Sequence, residues 1–177
     1  GHAKVLDFMV LRLSWPDERA MTLRTEAGNL IGTLSYMSPE QVGGDPGEVD
    51  RRSDIYALGV LLFQLLTGRT PYDLADRALP DAARIIRDEE PSRLGSINTA
   101  FRGDVETIVA KALDKDPARR YATAADLAGD IRRYLRDQPI TARPAGTLYQ
   151  LRKFARRNRV LVAGTLMTAL ALVAGMI

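Results

Sequence analysis

The most continuous apolar pattern between charged residues runs from Ile55 to Leu66, where Gln64 is the one strongly polar residue. A helix that is apolar on all sides is either buried in a domain or embedded in a membrane. This run is too short to span a bilayer, and charges flank it at Arg52 and Arg69. The pattern therefore predicts a buried central helix, with Gly68 as its C-terminal cap.

Shorter patterns predict further helices on both sides of this one. The stretch GTLSYMSPEQ contains Pro39, which suits the first turn of a short helix. Helical spacing of apolar residues predicts helices at 82–87 and 104–113. The spacing of Thr123 and Asp126 is typical of a capping box.

A single apolar face is predicted for the helix that this capping box begins. Leu127, Ile131 and Leu135 are spaced four residues apart, and we expect them to form one face of the helix.

Residues 1–13 predict one or two short strands, and residues 14–31 predict a long loop. Pro139 and Pro144 indicate a linker after the last of these helices. The predicted fold class is α+β, mainly α.

Composition excludes several kinds of site. The chain has no cysteine, and its one histidine is His2, so thiolate metal sites, histidine metal sites and Ser/His or Cys/His catalytic pairs are not expected.

The net charge of +3 is unevenly distributed along the chain. All 22 acidic residues lie at or before Asp137, whereas the charges after it are all basic. We expect no nucleic-acid binding, although a basic patch alone leaves that alternative open.

The end of the chain predicts a membrane segment. Five basic residues lie between Arg152 and Arg159, and residues 160–177 carry no charge. Basic residues beside a spanning helix stay on the cytoplasmic side. The alternative for 160–177 is a buried soluble helix. Small residues around Gly164 suit close helix contacts and a homodimer.

Four motifs together resemble a known family: LDFMVLR, GTLSYMSPEQ, RRSDIYALGVLLFQLLTGRTPY and DKDPARRYATAADL. In this order and spacing they resemble the large, C-terminal lobe of a protein kinase, over about residues 1–137. The details are similar to the eukaryotic-like serine/threonine kinases of bacteria.

The resemblance assigns a role to the first motif. Asp7 matches the aspartate that binds Mg²⁺ against the phosphates of ATP, and Phe8 matches its inward-packing neighbour. Met9 departs from the family glycine. The alternative for Asp7 is an ordinary acid at a strand end.

Hydroxyl residues of the activation segment are the next candidates. Thr22 and Thr25 are candidate phosphorylation sites, since a phosphate there could pair with arginines. Thr33 matches the threonine of the substrate pocket. The alternative for Thr22 and Thr25 is that they are ordinary loop hydroxyls.

Three charged residues match structural positions of the family. Glu40 and Arg120 match a buried ion pair that ties the activation segment to later helices. Asp54 matches an acid that holds the catalytic loop, and its alternative role is a plain helix-start acid.

The resemblance implies ATP and Mg²⁺ as cofactors and proteins as substrates. The glycine-rich loop, the strand lysine and the catalytic loop do not occur among the 177 residues, so no catalytic residue is assigned. The chain starts with Gly1 and ends in an apolar run, and we expect a piece of a longer protein that is inactive alone.

The full prediction has three parts. Residues 1–137 form a partial kinase domain, 138–159 a basic juxtamembrane linker or helix, and 160–177 the start of a single-pass transmembrane helix. The kinase part is expected in the cytoplasm at the cell membrane. A membrane-anchored pseudokinase or scaffold is the alternative, because of Met9. A weaker alternative is a tethered interaction domain that merely shares the helical spacing.

Overall fold

The computed structural model describes residues 32–43, 49–75, 77–144, 146–158, 162–164, 167, 172 and 174. Seven α-helices have defined bounds in these ranges: α1 Pro39–Gly43, α2 Arg51–Thr67, α3 Leu79–Asp88, α4 Leu94–Ile97, α5 Asp104–Ala112, α6 Ala124–Leu135 and α7 Thr147–Arg157. Short 3₁₀ turns lie at Thr99–Phe101 and Pro117–Arg119. The described part contains no strand, and the strands expected at 1–13 lie outside it.

Helix α2 is the central element, as the apolar pattern predicted. Asp50 caps its start by accepting a hydrogen bond from the Arg52 N–H. Gly68 ends it in the left-handed conformation, with φ of 76°, and donates its N–H to the Gln64 carbonyl. A left-handed cap residue is usually glycine because it has no Cβ.

Two apolar clusters share α2. The first gathers Tyr56, Val60 and Phe63 with residues of α3, α4 and α5. The second joins Ile55 to residues of α5 and α6. The prediction that α2 is buried on all sides was wrong for one stripe, because Leu61 and Leu65 are exposed. The other sides of α2 are covered by residues of α3, α4, α5 and α6.

Helix boundaries differ from the predictions where proline and helix geometry act. Helix α3 begins at Leu79, before the predicted 82, because Pro80 occupies the first turn, where its missing N–H costs nothing. The capping box between Thr123 and Asp126 is confirmed in α6. Of the predicted apolar face, Leu127 is buried, whereas Leu135 is 73% exposed. Steps of four residues turn by about 40° beyond a full revolution, so the row drifts off the buried face.

Glycine permits the close crossing of α2 and α5. A Cβ built on Gly59 would lie 2.9 Å from the Ala112 Cβ and 3.1 Å from a Leu113 methyl carbon. A side chain at this position therefore requires the two helices to separate.

The segment that follows α6 packs against the helices through a buried carboxylate. Asp130 of α6 is fully buried and accepts the N–H groups of Thr141 at 2.7 Å and Ala142 at 2.8 Å. It also accepts the hydroxyls of Thr141 and Tyr121. The residues around Pro139 and Pro144 are thus held to the helical body.

Helix α7 is attached by a second buried acid, Asp104 in the first turn of α5. The Lys153 Nζ lies 2.7 Å from its carboxylate, and the Tyr149 hydroxyl donates to it at 3.0 Å. The same hydroxyl accepts the Ile140 N–H at 3.1 Å. We call this arrangement of Asp104, Asp130 and the groups bound to them the carboxylate clasp.

Within the described residues, no helix has both the length and the apolar character needed to cross a bilayer.

A paired glycine substitution tests the α2–α5 crossing. Gly59→Ala is expected to destabilise the chain by about 1–3 kcal/mol, because the new methyl overpacks the contact with α5. Gly129→Ala in α6 is the control, since no atom lies within 4 Å of the added Cβ. That change should stabilise by roughly 1 kcal/mol through helix propensity. Urea unfolding measures both, and equal effects would contradict the close crossing.

The clasp predicts a dependence of stability on acid pH. Burial raises the pKa of Asp130, but hydrogen bonds from Thr141, Ala142 and Tyr121 outweigh it and leave the pKa below the usual value. A lowered folded-state pKa contributes stability above the unfolded value, lost as pH falls through the folded value. The midpoint of unfolding should therefore decrease as the pH is lowered below about 4. Asp130→Asn should weaken this dependence of stability on pH. An unchanged acid limb in the variant would count against the clasp.

Candidate functional site

The candidate site is the turn that leads into α1 and the ion pair beneath it. Pro39 opens α1, and Gln41 reaches back to accept the Ser38 N–H at 2.9 Å and the Ser38 hydroxyl at 3.1 Å. This is half of a capping box, combined with proline at the first helical position. The local sequence Ser-Pro-Glu-Gln thus fixes the turn and directs Glu40 inward.

Glu40 and Arg120 form a two-pronged ion pair in the interior. The two guanidinium nitrogens lie 2.7 Å and 2.8 Å from the two carboxylate oxygens. The side chains are 4% and 0% exposed. The structure thus brings together two residues that lie 80 positions apart in sequence.

Further hydrogen bonds surround the pair. The Ser53 hydroxyl of α2 donates to the Glu40 carboxylate at 2.7 Å. Arg120 donates to the carbonyls of Arg52, Asp114 and Lys115. Its guanidinium also lies 5.0 Å from the centre of the Tyr56 ring. One arginine therefore holds α1, α2 and the turn after α5 in register.

The surroundings keep Glu40 ionised. Burial alone raises the pKa of Glu40, but hydrogen bonds from Arg120 and Ser53, with the charge of Arg120, lower it below the usual value. In the folded protein, Glu40 is thus ionised at neutral pH, as its pairing with Arg120 requires.

A lysine that the sequence analysis did not single out lies beside the pair. The Lys115 Nζ donates to the Tyr72 hydroxyl at 2.6 Å and also to the Ile86 carbonyl. Burial lowers the pKa of Lys115 to about 8. The DKDP turn places it there, but that motif alone does not reveal the contact with Tyr72.

An open cavity of about 480 Å³ adjoins the site. Its lining includes Glu40 and the basic residues Arg52, Arg87 and Lys115. The Arg52 Nε is buried without a hydrogen-bond partner among the described atoms. The cavity is a mixed-charge surface beside α1.

The other predicted residues within the described ranges lie outside the pair. Thr33 is exposed in a short helical stretch at 32–34, before the turn that leads into α1, and its carbonyl accepts the Tyr36 N–H at 3.1 Å. Asp54 is exposed in the first turn of α2 and makes no hydrogen bond or ion pair with any described residue. Asp54 therefore has the placement of a helix-start acid, and its proposed hold on a catalytic loop stays a prediction.

The remaining predicted residues, Asp7, Phe8, Thr22 and Thr25, lie outside the described residues, as does Met9. Among the described residues, no group of three or more acidic or histidine side chains could hold a metal ion.

The family model and the similar proteins agree on one family. The family model described as protein kinase domain matches residues 1–130. A probable serine/threonine-protein kinase of Streptomyces coelicolor is 39% identical over 145 residues, which cover 82% of this chain and 20% of the relative.

Two further relatives agree. Serine/threonine-protein kinase PrkC of Bacillus subtilis is 39% identical over 132 residues, covering 75% of this chain and 19% of that protein. Serine/threonine-protein kinase PknB of Mycobacterium tuberculosis is 36% identical over 136 residues, covering 77% and 21%. The chain spans about a fifth of the length of these relatives.

Breaking the ion pair from one side is expected to be costly. Arg120→Met or Glu40→Gln should destabilise the chain by about 3–5 kcal/mol, because one change leaves a buried charge without its partner. The double variant should lose less than the sum of the two, as residues in one contact are coupled.

The control for this pair is Arg84→Ala. Arg84 pairs with Glu89 at 3.3 Å, and both side chains are about half exposed. An exposed pair contributes at most about 1 kcal/mol. Chemical unfolding of the four variants compares the effects, and an Arg120→Met loss as small as that of Arg84→Ala would refute the role of the pair.

Proposed function

Because the chain belongs to the protein kinase family, we propose that the whole protein transfers the γ-phosphoryl group of ATP to serine or threonine hydroxyls of other proteins. The observation that carries this proposal is the Glu40–Arg120 pair. It joins the SPEQ turn to the DKDPARR turn, two of the motifs on which the resemblance rests. The match to the family over residues 1–130 and the names of the relatives support it.

Asp7 is the residue proposed to hold Mg²⁺. A carboxylate suits this hard cation, which takes few protein ligands and keeps contacts with substrate phosphates. Asp7 lies outside the described residues, so its assignment rests on the resemblance of the LDFMVLR motif. When bound, Mg²⁺ neutralises charge on the phosphates.

The described residues have a positioning role in this proposal. The ion pair fixes the turn before α1, and Thr33 lies exposed in the short helical stretch that precedes this turn. We assign Thr33 to the pocket for the substrate hydroxyl, and Thr22 and Thr25 to regulation by phosphorylation. Holding the acceptor peptide still is a large part of phosphoryl-transfer catalysis, which depends on positioning and electrostatics.

A membrane attachment completes the proposal. The uncharged run 160–177 and the basic residues before it support a single-pass protein whose kinase part lies in the cytoplasm. Small residues around Gly164 support a homodimer through this run.

The alternative of a pseudokinase or scaffold rests on Met9 alone, and relatives that are named kinases do not favour it. Activity measurements on the whole protein decide between the two.

The proposed activity predicts a sharp effect at Asp7. In the whole protein, Asp7→Asn should lower the rate of phosphate transfer by roughly 10²-fold or more, as removal of one charge-stabilising group does in other enzymes. Asp81→Asn is the control, since Asp81 is an exposed acid in the first turn of α3. The isolated 177 residues should be inactive. Transfer of ³²P from ATP to a protein substrate measures all three, and an active Asp7→Asn enzyme would contradict the proposed metal site.

A further inference from the structure

Helix α7 has its polar and apolar sides reversed relative to a helix that packs on a globular domain. Such a helix normally turns an apolar stripe to the core and polar residues to solvent. In α7 the side toward the body carries Tyr149 and Lys153, which is 7% exposed. The apolar residues point away: Leu148 is 80% exposed, Leu151 61% and Phe154 48%.

The reversal follows from the clasp. Lys153 and Tyr149 are bound to Asp104, and Tyr149 is also bound to the Ile140 N–H. These polar contacts fix the rotation of the helix about its axis. With that rotation fixed, the residues at three-residue spacing, 148, 151 and 154, face outward together.

Positive charge borders this outward face on both sides. Arg152 and Arg157 are exposed. At 100° per residue they lie about 100° to one side and about 120° to the other side of Leu151. A central apolar stripe bordered by arginines is the pattern of helices that lie in the surface of an anionic membrane.

The position of α7 in the chain favours the same occupant. The helix ends at Arg157, and the uncharged run begins at residue 160. An apolar protein surface would cover the leucines but would leave the bordering arginines without complementary charge. A layer of acidic lipid headgroups above acyl chains satisfies both.

We propose that α7 lies on an anionic bilayer surface, with Leu148, Leu151 and Phe154 in the boundary between headgroups and acyl chains. The clasp then holds the kinase body at a fixed orientation to the membrane. This inference rests on the proposed function for the choice of a membrane, and it adds a contact surface and a lipid charge. Arg152 and Arg157 supply the preference for acidic lipids.

The chain is suited to a labelling test because it contains no cysteine. The full chain is reconstituted in vesicles with a single nitroxide-labelled cysteine at position 148, 151 or 154. The matched control is the same label at Leu65, which is also an exposed leucine but lies on α2. The vesicles contain phosphatidylcholine alone or with phosphatidylglycerol.

With phosphatidylglycerol present, labels on α7 should gain access to oxygen, which dissolves in lipid, and lose access to a water-soluble nickel chelate. The ratio of the two accessibilities should rise several-fold over that at Leu65. Substitution of Arg152→Gln with Arg157→Gln should return the ratio toward the Leu65 value. The rise should be weaker in phosphatidylcholine alone.

Three outcomes overturn the inference. Labels on α7 that stay as accessible to nickel as Leu65 show a water-facing helix. Labels shielded from both reagents show that protein covers the face, such as a second copy of the chain. Equal entry into lipid at Leu65 shows unspecific adhesion.

Washing the vesicles with alkaline carbonate reports on the proposed membrane attachment separately. A chain that washes off, yet has lipid-facing α7 labels beforehand, supports the inference and contradicts the spanning segment. A chain that is retained with water-facing labels overturns the inference and leaves the spanning segment in place.

Discussion

The arrangement of helices depends most on the ion pair between Glu40 and Arg120. Two charges taken out of water lose hydration free energy that their mutual attraction only partly restores. Hydrogen bonds offset the remaining loss of hydration here, because Ser53 donates to Glu40 and three backbone carbonyls accept from Arg120. A pair of this kind adds little to net stability, yet any arrangement that separates the two charges is strongly disfavoured. Its main effect is therefore to select one position of α1 relative to α2 and to the turn after α5.

Two further buried acids, Asp130 and Asp104, hold segments of the chain in a similar way. Asp130 gathers backbone N–H groups of the segment after α6, and Asp104 gathers Lys153 and Tyr149 of α7. Each buried acid replaces water by several donors. The segment after α6 adds the buried side chain of Ile140 to the second apolar cluster, whereas α7 is held through polar groups. This is why α7 can be held firmly while its leucines remain outside.

The features of the fold that the sequence predicts are those that depend on neighbouring residues. The cap at Gly68 and the capping box at Thr123 and Asp126 depend on residues within one helical turn, and a reader of the sequence can find them. The Glu40–Arg120 contact spans 80 positions and was available only through the family resemblance. Asp104 and Lys153 carry no such signal, because their pairing depends on how α5 and α7 meet in space. Leu135 is exposed for a geometric reason, since a row of every fourth residue winds away from the core.

The clasp and the outward face of α7 have to be considered together. If α7 were rotated to bury Leu151, Lys153 would leave Asp104, and the buried acid would lose a partner only 2.7 Å away. The same rotation would remove the Tyr149 hydroxyl from Asp104, so it would break two buried polar contacts at once. The clasp thus opposes rotation of the apolar stripe toward the core. A lipid surface adds burial of the stripe without disturbing the pair, so the same rotation of α7 serves both the kinase body and the membrane that we propose it lies on.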